Sequence, residues 1–286
     1  MSELFDRFRA FILKQTGIAL EPERDYMIET RLSPVQRAFG LPDLSALLAQ
    51  AMADRHPELA RATVEAMLTG ETFFFRDRQV FHALRETILP DVLEARKDLR
   101  RLRIWCAACS TGQEPYSIAM ILDEEARHLR GWQIEIVATD LSQGALDTAR
   151  EGLYNQFEVQ RGLPVALLLR YFHRDRDRWR IAEHLRSMVE FQQLNLTADR
   201  APSGVFDLIF CRNVLMYFEP GMKQEILARA GGAMARDGWL VLGATENTAG
   251  LDSNLEQDPR IPGAYRPHDP AAGRVINISS RIRVSG

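Results

Sequence analysis

The sequence predicts an α/β protein: a doubly wound parallel-sheet domain that carries a small antiparallel β lobe and is preceded by an all-α domain. Three observations predict it. The apolar run 102–107 stops at small residues, turns through Gly112 and restarts as a helix. A second apolar run, 134–140, ends in the acid Asp140. Residues 1–70, by contrast, place their apolar side chains at helical spacing.

Leu4, Phe8, Phe11 and Ile12 form one apolar stripe, residues 26–39 a second, 44–52 a third and 59–68 a fourth. Residues 1–70 therefore read as a helical domain. The turn-prone segment 69–72 leads into Phe73, Phe74 and Phe75. Three consecutive phenylalanines satisfy no single helical face, so an aromatic plug is expected where the helical domain meets the sheet. Residues 71–86 are assigned to the link and 87–267 to the α/β domain.

Within that domain, 102–107 has the length of a buried parallel strand. Ser110-x-x-Gln113 and Thr111-x-x-Glu114 both match the capping-box pattern, and Pro115 is tolerable only in a first helical turn. Ile118, Ala119, Ile121 and Leu122 then recur at helical spacing and give the helix a sheet-facing side. Ligands of open α/β sheets lie outside the carboxyl ends of the strands, which is where residues 110–114 fall.

The strand at 134–140 bears on what that ligand is. An acid at its end can accept both hydroxyls of a ribose; the plainer alternative is that Asp140 caps the next helix. The first corner lacks Gly-x-Gly-x-x-Gly, and Glu114 at the helix start would repel a pyrophosphate. A nucleoside without phosphates and with a cationic centre would be accepted, and S-adenosyl-L-methionine fits that description.

Beyond Asp140 a helix over 141–152 begins at Ser142. Residues 154–184 are rich in arginine and alternate polar with aromatic residues, unlike a βαβ unit. Trp179 and Ile181, then Met188, Val189, Glu190 and Phe191, read as short antiparallel strands, so an inserted β lobe is expected over about 154–192. Residues 205–211 form an almost continuous apolar strand with Arg212 and Asn213 at its carboxyl end. Tyr217 follows Asn213 by one helical turn, which lets both face one pocket; otherwise Arg212 is a surface charge, Asn213 a cap and Tyr217 core. Asn195 and Leu196 read as a strand-ending turn. A last core strand at 239–243 follows the turn 236–238, and Glu246 reads as structural.

Composition excludes several classes. A chain of 286 residues holds one large domain and a smaller one with ample core. Its amino terminus has no basic region followed by an apolar run, and no apolar run approaches the roughly 18 residues of a membrane span. A cytoplasmic protein without membrane insertion is expected. The net charge of −3 gives no global basic field, so no nucleic-acid partner is expected. Cys106 and Cys109 form C-x-x-C, but no second Cys or His pair stands at zinc spacing. With Cys211 they read as small apolar packing residues, and no metal site is expected. The six histidines are scattered among charged neighbours.

Five motifs carry a resemblance: Thr72-Phe73-Phe74-Phe75-Arg76, the corner at 105–117, Ala138-Thr139-Asp140, the run 206–218 around Cys211-Arg212-Asn213, and Leu242-Gly243-Ala244-Thr245-Glu246-Asn247. In these, and over nearly its whole length, the chain resembles the CheR family of chemotaxis receptor glutamate methyltransferases. The resemblance implies a Rossmann-like S-adenosyl-L-methionine-dependent methyltransferase domain that leaves S-adenosyl-L-homocysteine and acts on the cytoplasmic domain of chemotaxis receptors. It implies that segment 71–86 covers the cofactor and contributes Thr72 and Arg76, and that Asn195 and Leu196 border the adenine. Arg212 and Asn213 belong with the cofactor pocket, Glu114 and Asp140 govern cofactor binding, and Arg76 and Tyr217 serve the catalytic step. Gly70 stands where the family usually has an asparagine, which puts one of the family's cofactor hydrogen bonds in question.

Arg31 and Arg37 stand where basic residues of the family meet an acidic receptor bundle, although Pro34 interrupts the segment and residues 1–75 hold 8 basic against 11 acidic side chains. Some members use the β lobe to hold a peptide tether at the receptor's carboxyl end. The short, glycine-free turn at 173–178 predicts a protein that does not use the pentapeptide tether. A monomer is expected, with a flexible tail over 268–286. Two other functions fit the same sequence: a noncatalytic S-adenosylmethionine-binding regulator, and a methyltransferase of another signalling protein.

Overall fold

Each predicted apolar stripe of the amino-terminal segment becomes one face of a helix. In the computed structural model, which describes residues 2–21, 25–53, 55–251 and 254–268, these are α1 (Ser2–Thr16), α2 (Asp25–Ala38), α3 (Leu44–Ala51) and α4 (Pro57–Met67). Phe8, Ile12, Ile28, Leu32, Leu47 and Leu48 close a core of their own. The Asp43 side chain caps α3 on the amide of Ala46, and Pro57 opens α4, where a missing N–H costs nothing. Pro34 does not interrupt α2, which runs on to Ala38.

The phenylalanine triplet does form a plug. Phe74 meets Tyr154 and Phe172 edge to face with centroids 5.0 and 5.5 Å apart, and Phe75 meets Phe81 at 5.2 Å. Next come α5 (Arg78–Ala83), a π turn over Leu84–Ile88 and α6 (Leu89–Ala95), a helical run that crosses the expected domain boundary between 86 and 87. Phe81, Leu84, Ile88, Leu89 and Val92 pack in the same core as the sheet. The second half of the assigned link is therefore part of the α/β layer. The π turn ends two residues before Pro90, which stands in the first turn of α6 and has no N–H to donate.

The parallel part of the large sheet has β1 (Arg101–Ala107) at its centre. It is flanked by β2 (Gln133–Asp140) and then β6 (Val189–Gln193) on one side, and by β7 (Phe206–Cys211) and then β8 (Met234–Leu242) on the other. These five are parallel; β10 (Ala264–Pro267) pairs antiparallel with β8, and β9 (Leu255–Gln257) with β10. Leu102, Ile104 and Cys106 face one core, Trp105 and Ala107 the other, as period-two alternation requires. α7 (Gln113–Glu124) and α8 (Gln143–Glu151) follow β1 and β2, and α12 (Pro220–Ala233) packs its buried face in the core opposite to that of α7. The order reverses at β1, so the crevice beside it is the ligand position for such sheets.

The inserted lobe is a three-stranded antiparallel sheet of β3 (Leu153–Tyr154), β5 (Arg178–Ile181) and β4 (Phe172–Asp175), with short helices α9 (Gln156–Gln160), α10 (Val165–Tyr171) and α11 (Glu183–Arg186). The expectation that 188–191 belongs to this lobe is corrected. β6 pairs parallel with β2, Ala138 opposite Phe191, and is the edge of the main sheet. Its alternation of apolar and polar residues from Val189 to Gln192 suits an edge strand, and a pattern alone does not separate that from a hairpin strand. Among the described residues no helix is long and apolar enough to cross a membrane. The expected tail lies, beyond His268, outside the described residues.

Candidate active site

A cavity of about 360 Å³ opens at the carboxyl ends of β1, β2, β6 and β7, within the roughly 300–1,000 Å³ range of small-molecule sites. Its lining includes all nine residues singled out from sequence: Thr72, Arg76, Glu114, Asp140, Asn195, Leu196, Arg212, Asn213 and Tyr217. It also includes Thr16, Ile18, Glu65 and Leu68, which the sequence did not point to.

The corner after β1 differs from its expected form. Neither capping-box pattern is realised: the residue that caps α7 is Gly112, with φ 93° and no side-chain hydrogen bond. A Cβ on Gly112 would lie 2.8 Å from that of Ala149, so the glycine sets how closely the corner approaches α8. The serine and threonine of the patterns are used elsewhere. Ser110 Oγ donates to the Gly70 carbonyl at 2.8 Å, and Thr111 Oγ1 donates to Gln113 Oε1 at 2.8 Å. Gly70 thus contributes its backbone to the link between the covering segment and the corner.

Asp140 organises two loops at once. Its Oδ2 accepts from the amide of Ser110 at 2.7 Å and its Oδ1 from that of Ser142 at 2.9 Å. Each oxygen keeps a further lone pair for a ligand hydroxyl. The capping alternative is answered separately, because Ser142, not Asp140, caps α8 through the amide of Ala145.

The Arg212 side chain is buried, at 1 % exposure. Its Nη1 donates to Glu114 Oε2 at 2.6 Å, and its Nη2 to Asp77 Oδ2 and to the Arg76 carbonyl, both at 2.8 Å. It is therefore no surface charge. It ties the start of α7 to the covering segment immediately beside Arg76. The Arg76 guanidinium itself remains half-exposed, donating Nη1 to the Glu71 carbonyl at 2.6 Å.

Asn213 and Tyr217 meet in the cavity, although not by the helical spacing expected; residues 215–217 are a 3₁₀ turn. Glu246 holds that turn. Its Oε2 accepts from the amides of Asn213 at 2.7 Å and Gly243 at 2.8 Å, and its Oε1 from that of Met216 at 3.3 Å. Positive φ marks Phe75, Asp77, Ala108, Ser110 and Asn213, five of the seven such non-glycine residues described, and all five lie on the loops around the cavity. Strain of this kind, about 1–3 kcal/mol per residue, persists only where neighbouring contacts over-determine the backbone.

The helical domain closes one side. Glu65 accepts from the amides of Gln143 at 3.1 Å and Gly144 at 3.4 Å, placing a carboxylate on the amino-terminal turn of α8. Asn195 Nδ2 donates to the Gln15 carbonyl at 2.9 Å while its Oδ1 accepts from Thr197, and Ile18 bridges to Phe218. The Asn195 side chain thus joins the domains, and Leu196 supplies an apolar wall packed on the core. No sequence signal marked Glu65, since its contact is set by the docking of α4 on α8. Arg31, expected on a docking face, instead donates to the Met67 carbonyl at 2.6 Å and to Thr69 Oγ1 at 3.2 Å, while Arg37 is exposed.

The donor set fits S-adenosylmethionine. Two carboxylates, Glu114 and Asp140, face a cavity whose other walls include Ile18, Leu141, Leu196 and Phe218. Burial raises both carboxyl groups above their ordinary values, opposed for Glu114 by the Arg212 guanidinium and for Asp140 by the amides of Ser142 and Ser110. A ligand ammonium beside Glu114 and ribose hydroxyls donating to Asp140 both favour the ionised forms, so protons compete with the ligand. The affinity for S-adenosylhomocysteine is therefore expected to weaken as pH falls from neutrality through the carboxylate range, beginning above the ordinary values of the two groups. Isothermal titration across that range checks this; a flat profile would show that neither carboxylate senses the ligand.

Comparison with known proteins agrees with this geometry. Residues 3–68 match the family model described as CheR methyltransferase, all-alpha domain, and residues 70–259 the one described as CheR methyltransferase, SAM binding domain. Chemotaxis protein methyltransferase 1 of Pseudomonas aeruginosa is 39% identical over 263 residues, covering 91% of this chain and 95% of that one. Chemotaxis protein methyltransferase Cher2 of Pseudomonas putida is 38% identical over the same shares, and a chemotaxis protein methyltransferase of Vibrio parahaemolyticus 39% over 90% and 93%.

Proposed function

We propose, because this chain belongs to the CheR family of S-adenosylmethionine-dependent methyltransferases, that it methylates glutamate side-chain carboxylates of chemotaxis receptors, giving the methyl esters used in sensory adaptation. The observation that carries the reading is the convergence of Arg76 and Tyr217 with Glu114 and Asp140 on one cavity. The relatives with which the chain shares over a third of its residues are named chemotaxis protein methyltransferases.

When bound, S-adenosylmethionine would supply a methyl group activated on a sulfonium, and its transfer to a carboxylate oxygen, with the thioether as leaving group, would require no proton transfer. The protein has therefore no need of a base, because a glutamate with reference pKa of about 4.3 is already ionised. Its residues supply placement. Arg76 presents a planar fork matched to two carboxylate oxygens, and its Nε and Nη2 have no acceptor among the described residues. The Tyr217 hydroxyl, also without a hydrogen-bond partner among the described residues, packs beside the methyl and the acceptor. Thr72 closes the cavity over the ligand, Asp140 takes the ribose, Glu114 the cationic end, Asn195 and Leu196 the adenine side, and Asn213 the floor. Arg212 acts by holding Glu114 and the Arg76 backbone. The chain works as a monomer in the cytoplasm and engages the receptor without a pentapeptide tether, a reading supported by the two-residue, glycine-free turn at Arg176 and Asp177 between β4 and β5.

The test is transfer of labelled methyl to receptor cytoplasmic fragments, then mild base to release methanol from esters. Base-labile label is expected with the wild type. Arg76→Ala should lower kcat by about 100-fold and Tyr217→Phe by about tenfold, with smaller changes in S-adenosylhomocysteine affinity, since orientation accounts for several kcal/mol of such barriers. Untouched rates in both variants would remove their role assignment.

A further inference from the structure

Arg161 stands just past the end of α9, in the inserted lobe, outside the residues that line the cavity but fixed to its rim. Its guanidinium lies 4.4 Å over the ring of Phe73, and its Nη2 donates to Glu71 Oε1. Arg76 lies 5.6 Å from the centre of the same ring and donates to the carbonyl of the same Glu71. Two guanidiniums thus share one aromatic ring and one glutamate at the mouth of the site. Gly162 explains how the lobe comes so near: with φ 86°, its Cβ would fall 2.0 Å from the Phe74 carbonyl oxygen, so only glycine lets this loop pack on the covering segment.

The arrangement is half-satisfied in a particular way. Arg76 is paired with a neutral carbonyl and keeps its full charge for a ligand. Arg161 is paired with a carboxylate, but both partners are open to solvent, at 41% and 56% exposure. Exposed ion pairs contribute little net stability, so exchange of Glu71 for an external carboxylate is nearly neutral. The Arg161 guanidinium also holds the Glu71 carboxyl below its usual range, which keeps that position anionic before exchange. Sharing a ring places the two guanidinium carbons within about 10 Å of each other, a separation that side chains one or two turns apart on an acceptor helix can span.

We propose that Arg161 determines acceptor specificity by receiving a second carboxylate of the receptor, near the glutamate that Arg76 orients, and that Glu71 holds its place until the acceptor arrives. The inference rests on the receptor-methylation reading. An acidic segment satisfies both guanidiniums at once, whereas an isolated glutamate satisfies one.

Steady-state methylation of a chemoreceptor cytoplasmic fragment tests it, with S-adenosylhomocysteine affinity measured on the same proteins. Arg161→Ala is expected to raise KM for the fragment roughly tenfold, with kcat and S-adenosylhomocysteine affinity unchanged. Glu71→Gln, which removes the internal occupant, is expected to lower KM, and that gain should vanish in the double variant. An unchanged KM in Arg161→Ala, or a rise matched by lost S-adenosylhomocysteine affinity, overturns the inference while receptor methylation stands. Absence of transfer by the wild type overturns both.

Discussion

Asp140→Ala is expected to lose S-adenosylhomocysteine binding by about 100-fold or more, the value of two hydrogen bonds to a charged acceptor. It removes more than a ligand contact. The amides of Ser110 and Ser142 would lose their acceptors, 2.7 and 2.9 Å away, and a buried N–H left unpaired costs about 1–3 kcal/mol. The Ser110 backbone, held at φ 50°, would relax and carry the corner with it. Asp140→Asn separates the two effects: it keeps the volume but turns an NH₂ toward one of the two amides, so binding and melting temperature should both fall, binding further. Titration calorimetry alongside thermal unfolding distinguishes these. An Asp140→Ala protein that binds S-adenosylhomocysteine as tightly as the wild type would falsify the ribose assignment.

The features legible in sequence were local ones. Strand, corner and helix over 102–122, and the acid at 140, rest on contiguous patterns, and the structure keeps them, including the cap at Ser142. What escaped depended on contacts between distant segments. Glu65 meets Gln143 across 78 residues, and nothing in an 11-residue helix marks one acid as facing a neighbouring helix. Arg212 is placed with the pocket by resemblance, but its partners Asp77 and Glu114, 135 and 98 residues away, leave no mark in the sequence. The capping boxes failed for a similar reason: Ser110 finds a better use on the Gly70 carbonyl, 40 residues back. β6 lies in the main sheet and not in the lobe; its apolar–polar alternation fits either place, and only its pairing with β2 decides.

Arg212→Ala follows from the partners of Arg212, which sequence did not reveal, and it is expected to be the most destabilising single change in the site. The substitution leaves Glu114, whose side chain is 12% exposed, without its counter-charge, and takes from Asp77 and the Arg76 carbonyl the donor that fixes their turn. Breaking a buried pair from one side costs about 3–5 kcal/mol, because the surviving charge must stay desolvated or take up a proton. Burial already raises the Glu114 carboxyl, so protonation is the easier course, and a neutral Glu114 no longer attracts the ammonium of the ligand. Both the melting temperature and the affinity for S-adenosylhomocysteine should fall together. Arg212→Lys retains the charge but not a fork that reaches three acceptors, and should recover only part of either. The decisive comparison is Arg212→Met with and without Glu114→Gln. Removing both charges should restore much of the stability lost with one, since an apolar replacement of a whole buried pair is often tolerated, while cofactor affinity stays low. Restoration of affinity along with stability would mean that Glu114 contributes to the fold alone. A loss in Arg212→Ala within about 0.5 kcal/mol of zero, the range of ordinary surface substitutions, would mean that the network is an accident of packing.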